Sequence, residues 1–414
     1  MTDKEEGEEI NLVLLNNYED VDNSATVDDS KNKKIDNSII ERRKTKRERL
    51  YWVDCLRIFA CYLVIFIHCS DMDHRKKMEL FSGEWNVFYF FYSILKPCVP
   101  LYQMISGLLF LDPSKNVSLK TLYKKSIPRI LKGYIFWTAY YSIVDKLFIN
   151  VHNIDTTLNW KLIGNIVRGM ILAKDGSHLW YIHFCLGLYM FTPIYRELIP
   201  NKTLAWYTAA VSCICYHIIP TVCEVIIRFT PIAVVGEVIR SFLNALRLYP
   251  FTGCITYFMF GYLLNVTTLT KKWHIYAFYV MGIAGFILTP ILVISACHLE
   301  NKKVRTFGDY MNFNVTMETF GIFIFFKYTF NQYLTQLIKK KPIVKRIITI
   351  ISDCSFGIYL IHYHIYHVLM KLNFHPHSFG FPILFVPFYS LIIFIISFII
   401  IYLLRRIRIF KQLT

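Results

Sequence analysis

The chain has 414 residues, of which 55% are hydrophobic and 17% aromatic but only 18% charged, a balance that excludes an ordinary soluble domain of this length. The net charge of +17 invites a nucleic-acid reading, yet the lysines and arginines stand mostly at the ends of apolar segments, where membrane topology places them, so no nucleic-acid partner is expected. The 11 cysteines include no Cys-x-x-Cys pair and lie mostly within apolar runs, so they read as small buried hydrophobes rather than as metal ligands or disulfides.

Residues 1–48 are acidic and then basic, with few aromatics and many Asn, Asp and Lys. Such a segment cannot bury enough apolar surface to fold, and a disordered cytosolic tail is expected. It lacks the basic start and apolar core of a cleavable signal peptide. Over residues 49–408 apolar runs recur, and this second unit reads as an all-α, polytopic helical bundle in a lipid bilayer. Ten runs predict ten spans, over 51–70, 86–111, 127–149, 179–195, 203–222, 249–265, 274–297, 315–333, 351–370 and 381–404. The stretch 223–247 is ambiguous. An even number of spans puts both termini on one side. Basic flanks such as RRKTKRER (42–49) and RRIRIFK (405–411) make that side the cytosol, with RKK at 75–77 and KKVR at 302–305 as exceptions. Whether the membrane is the plasma membrane or a secretory compartment is not legible.

The first run, YWVDCLRIFACYLVIFIHCS (51–70), carries Asp54, Arg57 and His68. An acid or guanidinium at the centre of a lipid-embedded helix costs about 2.5–3.5 kcal/mol on insertion scales, so such groups face partners or a cavity. Arg57 and His68 are eleven residues apart, which on a helix brings them within about 20° of one direction and about 16 Å apart along the axis. Asp54 lies one turn before Arg57 on that face. A permanently charged guanidinium suits phosphate, and an imidazole suits proton transfer. A donor with a phosphorylated head and a long arm ending in a reactive group would span the gap, and acyl-coenzyme A has that shape. The competing reading is a structural Asp54–Arg57 pair with a hydrogen-bonded His68 at the far interface.

Four stretches, in order, are similar to the acyltransferase family 3 integral membrane proteins, which O-acylate surface glycans and related molecules. Asp54–Cys55–Leu56–Arg57 with His68 resembles that family's first-helix signature. VPLYQMISGLLFL (99–111) resembles its Ser-Gly motif, here Ser106–Gly107, with Tyr102–Gln103 in place of the phenylalanine often found there. SHLWYIHFCLGLYMFTPIY (177–195) resembles the His-Leu-Trp and Pro segment of the branch with the enterobacterial O-acetyltransferases, and SFGIYLIHYHIY (355–366) a late Tyr-Leu-x-His motif. The resemblance spans residues 49–405. It implies acetyl-CoA or another acyl-CoA as co-substrate, no permanently bound cofactor, and an acceptor hydroxyl on a glycan or similar molecule beyond the membrane. His68 resembles the family's essential histidine and Arg57 its essential arginine.

The remaining candidates follow from position. Ser106 and Gly107 either pack helices or admit a narrow ligand arm, and are assigned with Arg57 and Asp54 to donor binding. His178 and Trp180 open the fourth span, either as an interfacial pair or as an acceptor-side wall. Tyr359 and His362, three residues apart on one helix face, are interhelical polar contacts or part of the site. Lys327 reads as a snorkelling lysine. Glu318, embedded in NVTMETFGIFIFF (314–326), needs a partner. The expected partner is His68, which would make Glu318 the group that fixes the catalytic tautomer. The rival readings are a transporter or flippase using the same polar stripe, which the lack of an internal repeat weakens, and a family member that lost catalysis, which the presence of both Arg57 and His68 opposes. No zinc motif, phosphate loop or Gly-x-Ser-x-Gly elbow occurs.

Overall fold

A computed structural model describes residues 49–71, 78–115, 118–144, 177–248, 255–376 and 380–414, together with Gly164, Val167 and Arg168. The tail expected over 1–48 lies outside them. The described residues form helices and connecting turns, with no strand among them. Helix α1 is Tyr51–Asp71, α2 Gly83–Ile94, α3 Cys98–Phe110, α4 Ile127–Val144, α5 Trp180–Leu198, α6 Lys202–Cys213 and α7 Ile219–Phe229. They are followed by α8 Ala233–Ala245, α9 Ile255–Val266, α10 Lys272–Glu300, α11 Phe313–Phe325, α12 Asn331–Lys340, α13 Ile343–Lys371, α14 Pro382–Leu404 and α15 Arg408–Leu413.

Each of the ten predicted runs carries a helix. Among the described residues five stretches are long and apolar enough to cross a membrane: Tyr51–Ser70, Gly83–Phe110, Lys202–Phe229, Lys272–Glu300 and Pro382–Leu404. The molecule is therefore a multi-pass membrane protein. Along α14 the exposed Leu384, Phe388, Leu391, Ile395 and Ile399 recur at helical spacing on one face, the pattern of a lipid-contacting stripe. The ambiguous stretch resolves into the end of α7 and the separate helix α8.

Sequence explains the breaks. Ser82 caps α2 by accepting the Trp85 amide at 3.2 Å. Pro97 cannot donate to a helical ladder, so α2 stops at Ile94 and α3 restarts at Cys98. Single π turns widen the chain at Leu122–Ser126, Ile214–Ile218 and Phe326–Phe330. The carbonyls ending α9 are gathered by Lys327, whose Nζ donates to Leu264, Asn265 and Thr267 at 2.7, 2.8 and 2.9 Å. Lys327 thus caps a helix instead of snorkelling. Arg196 serves α3 in the same way, donating to the carbonyls of Phe110 and Asp112 at 2.7 and 2.9 Å and to that of Lys115.

Helix α1 is the centre of the bundle, packed against α2, α3, α13 and α14. Elsewhere backbones nearly touch. A Cβ added at Gly107 of α3 would overlap the Phe258 carbonyl of α9, and one at Gly261 of α9 would overlap Met104 of α3. Helices α10 and α11 meet in the same way at Gly282 and Gly321, and at Gly285 beside Glu318. Without a hydrophobic drive between lipid-solvated helices, such close contact supplies the dispersion that holds them together. Gly261→Val is expected to separate α3 from α9 and destabilise the protein by at least about 1–3 kcal/mol, read as a lower Tm in detergent.

Candidate active site

Asp54 lies in the first turn of α1, where a carboxylate complements the helix dipole. Its contact with Arg57 is long, 4.0 Å. Arg49 binds it instead, at 2.5 Å through Nε and 3.1 Å through Nη2, and the Ser352 hydroxyl of α13 donates to it at 2.7 Å. Arg49 also reaches Asp353 at 3.1 Å. Asp54 therefore ties α1 to α13 and lines neither cavity described below, which corrects its assignment to donor binding.

With Asp54 engaged, Arg57 faces a cleft that it shares with Arg129 of α4 and with Arg405, just past α14. Ser352, Asp353, Ser355 and the chain end, Gln412 to Thr414, complete the wall. Arg405 donates to the Thr414 main-chain oxygen at 2.9 Å, and the buried Nη1 of Arg129 has no hydrogen-bond partner. Three guanidiniums outnumber the Asp353 and Thr414 carboxylates there, and with a buried donor unsatisfied the cleft suits an anion.

A second, largely apolar cavity adjoins the first; Arg57, Ile130, Ser355 and Phe356 line both. Helix α1 contributes Arg57, Val64, Ile67 and His68 to it, so it follows roughly 16 Å of that helix. Ser106, Tyr102 and Tyr359 line it too, as do Trp180, Tyr310 and His178, the last of these beside His68. Trp180, 40% exposed, is stacked on Tyr310 with ring centroids 5.8 Å apart.

The His68 end is a cluster of rings. His68 lies 5.3 Å from His362, 6.4 Å from His178 and 6.2 Å from Tyr363, centroid to centroid. His178 Nε2 is 3.3 Å from the Leu360 carbonyl and His362 Nδ1 is 2.6 Å from the Tyr359 carbonyl. A carbonyl only accepts, so each of those nitrogens carries the proton. The opposite nitrogens, Nδ1 of His178 and Nε2 of His362, are buried and hold lone pairs without a donor. The Tyr359 hydroxyl donates to the His178 carbonyl and that of Tyr141 to Leu360, at 2.6 Å for the latter, which locks the cluster to α13.

An anion receptor beside an apolar cavity that reaches the half-buried His68 suits transfer of a group carried on a long arm. A family profile described as an acyltransferase domain matches residues 50–402. The chain belongs to acyltransferase family 3. Neither the curated proteins nor the solved structures contain a match to it. The protein is accordingly a transferase acting on acyl groups other than aminoacyl groups.

Of the residues singled out in sequence for this acyltransferase, the structure brings Arg57, Ser106, His68, His178, Trp180 and Tyr359 to one cavity, with His362 against His68. Two further residues need correction. Gly107 is pressed on the α9 backbone and belongs to helix packing, while its neighbour Ser106 faces the cavity. Glu318 does not meet His68: it accepts from Thr289 of α10, beside Asn314, whose Nδ2 donates to the same Thr289 oxygen at 2.9 Å. The cause is helical phase. On α11 the residue that meets α1 is Phe323, against Trp52 at 5.5 Å, five residues and so about 140° from Glu318. Arg49, Arg129, Arg405 and Tyr310 escaped the sequence reading. The three arginines sit in basic flanks, where a site charge and a topological charge look alike.

Replacing Asp54 with Ala should leave Arg49 only Asp353 and loosen α1 from α13. A lower Tm is expected, corresponding to about 1–3 kcal/mol for the charge-assisted bonds lost.

Proposed function

We propose that the protein is an O-acetyltransferase that takes an acetyl group from cytosolic acetyl-CoA and gives it to a hydroxyl of a glycan or related acceptor on the other side of the membrane. The observation that supports this reading is the shared wall of the two cavities, which sets a cleft with three arginines against an apolar cavity lined by His68. Arg57, Arg129 and Arg405 would hold the donor's phosphates at the mouth. The uncharged arm would lie along α1, beside Ser106 and Tyr102. His68 would take the proton of the acceptor hydroxyl as its oxygen attacks the thioester carbonyl. The C–O bond forms, the C–S bond breaks, and the proton goes to the departing sulfur, so that an ester and a free thiol result. Trp180 and Tyr310, stacked at the far end, offer a sugar an aromatic face. Family membership favours group transfer over transport, since a flippase moves its cargo without consuming acetyl-CoA.

Incubating purified protein with labelled acetyl-CoA and a panel of glycans should label an acceptor; release of solute without loss of label from CoA would support transport instead. The two principal residues should fail differently. Arg57→Ala is expected to raise the KM for acetyl-CoA roughly 10- to 100-fold with little change in kcat, because a charge-assisted phosphate contact is lost. His68→Ala should keep donor affinity and lower kcat by about 10²–10⁴, the usual contribution of a general base.

The mechanism needs the arginine mouth on the cytosolic side, so residues 1–48 and the C-terminus should both be cytosolic. Single-cysteine accessibility in sealed vesicles tests this. Ends found on opposite faces would reject an even number of spans, and ends both found outside would reject the orientation.

A further inference from the structure

The imidazoles around His68 carry more information than burial alone. Among the described residues no carboxylate lines the cavity that contains His68, and Glu318 accepts from Thr289 instead. A base that takes a proton in a low-dielectric site gains from a neighbour that orients its ring and shares the positive charge. Two imidazoles, His178 and His362, stand beside His68. Both have their N–H fixed on a backbone carbonyl, and both keep the other nitrogen buried with its lone pair unused. They differ in placement. His178 lines the cavity and stands edge-on to His68, with an interplanar angle of 83°. His362 lies behind the cavity wall, closer to His68 and inclined to it by only 38°.

We propose that His362 is the positioning residue for His68, its Nε2 lone pair receiving a ring N–H of His68 so that the other ring nitrogen is presented to the acceptor hydroxyl. The centroid separation of 5.3 Å is closed by a ring rotation or by one bridging water. When His68 accepts the hydroxyl proton, the N–H shared with His362 carries part of the new charge. When the thiolate leaves, His68 returns that proton to sulfur and the pair is neutral again. The helix makes the arrangement possible: Tyr359, three residues before His362, supplies the carbonyl that holds Nδ1–H, and this fixes Nε2 as the free acceptor.

This inference rests on the acetyl-transfer reading, and its test separates the two. His362→Asn retains an amide N–H where Nδ1–H stood, so the bond to Tyr359 survives while the Nε2 lone pair disappears. Among the described residues the titratable rings against the pair are His178 from the turn before α5 and Tyr359 and Tyr363 of α13, with Tyr141 of α4 against His178 and His367 of α13 against Tyr363, all of which remain in the variant. Expected for His362→Asn are an unchanged Tm and unchanged KM for acetyl-CoA, a kcat at least tenfold lower, and an acid limb of the pH–rate profile moved to lower pH, because the protonated base has lost its partner. A readout without turnover accompanies this: the rate at which diethyl pyrocarbonate modifies His68, followed by mass spectrometry at pH 5 to 8. It should rise at the acidic end in the variant, as more of His68 is neutral there. A variant with wild-type kcat and an unmoved acid limb, or with unaltered His68 modification, overturns the role of His362. If the wild type transfers no acetyl group, the functional reading fails, and the modification profile alone then decides whether the two rings are coupled.

Discussion

The interaction on which the site depends is the one that occupies Asp54. Its carboxylate is held by Arg49 and by Ser352, and Arg49 goes on to Asp353, so the start of α1 is tied to α13 at a single place. Those two helices carry the candidate site residues: Arg57 and His68 stand on one, Tyr359 and His362 on the other. The tie sets their relative height and rotation. Higher along the same seam, the small side chain of Cys61 lets α1 approach close enough for its sulfur to meet the Ser355 carbonyl at 3.4 Å. Because Asp54 is satisfied by other groups, the charge of Arg57 is left to act on whatever enters the cleft.

Much of this was legible in sequence, and the reason differs by level. Apolar runs separated by breakers translate directly into helices, because a backbone in lipid has few other ways to satisfy its polar groups. The stripe on α1 was also legible, since positions along one helix follow from its pitch alone. What failed were relations between helices. The reading of Glu318 needed the rotation of α11 about its axis, which is set by glycines at 282, 285 and 321 meeting across a seam, and no single segment reveals that. Ser106 and Gly107 were read as a unit, yet adjacent residues on a helix point about 100° apart, and one met the cavity while the other met α9. The mouth arginines were hidden by their company, since a flank rich in Lys and Arg has two explanations.

Charge in this protein is used with economy. Two cations that sequence would count toward orientation, Arg196 and Lys327, are bound to the carbonyls that end α3 and α9. The His68 end, by contrast, contains imidazoles, phenols and an indole, groups that are neutral when buried and can each offer a hydrogen bond. A carboxylate there would require a fixed counter-charge in a region where water is scarce. Neutral rings avoid that requirement and leave the passage uncharged between its mouth and its far end.

On the proposed mechanism one substrate arrives from each side of the membrane, which is the plan of a pore, and the wall between the two cavities would be where a membrane could lose its ion gradients. Arg57 stands at that junction with Ile130, Ser355 and Phe356. A permanent positive charge on the wall between two cavities repels metal cations and hydronium, in the manner by which an arginine keeps protons out of water channels. The guanidinium that would greet an anionic donor would thus also act as the insulator, keeping the passage electrically closed to cations whenever the donor is absent.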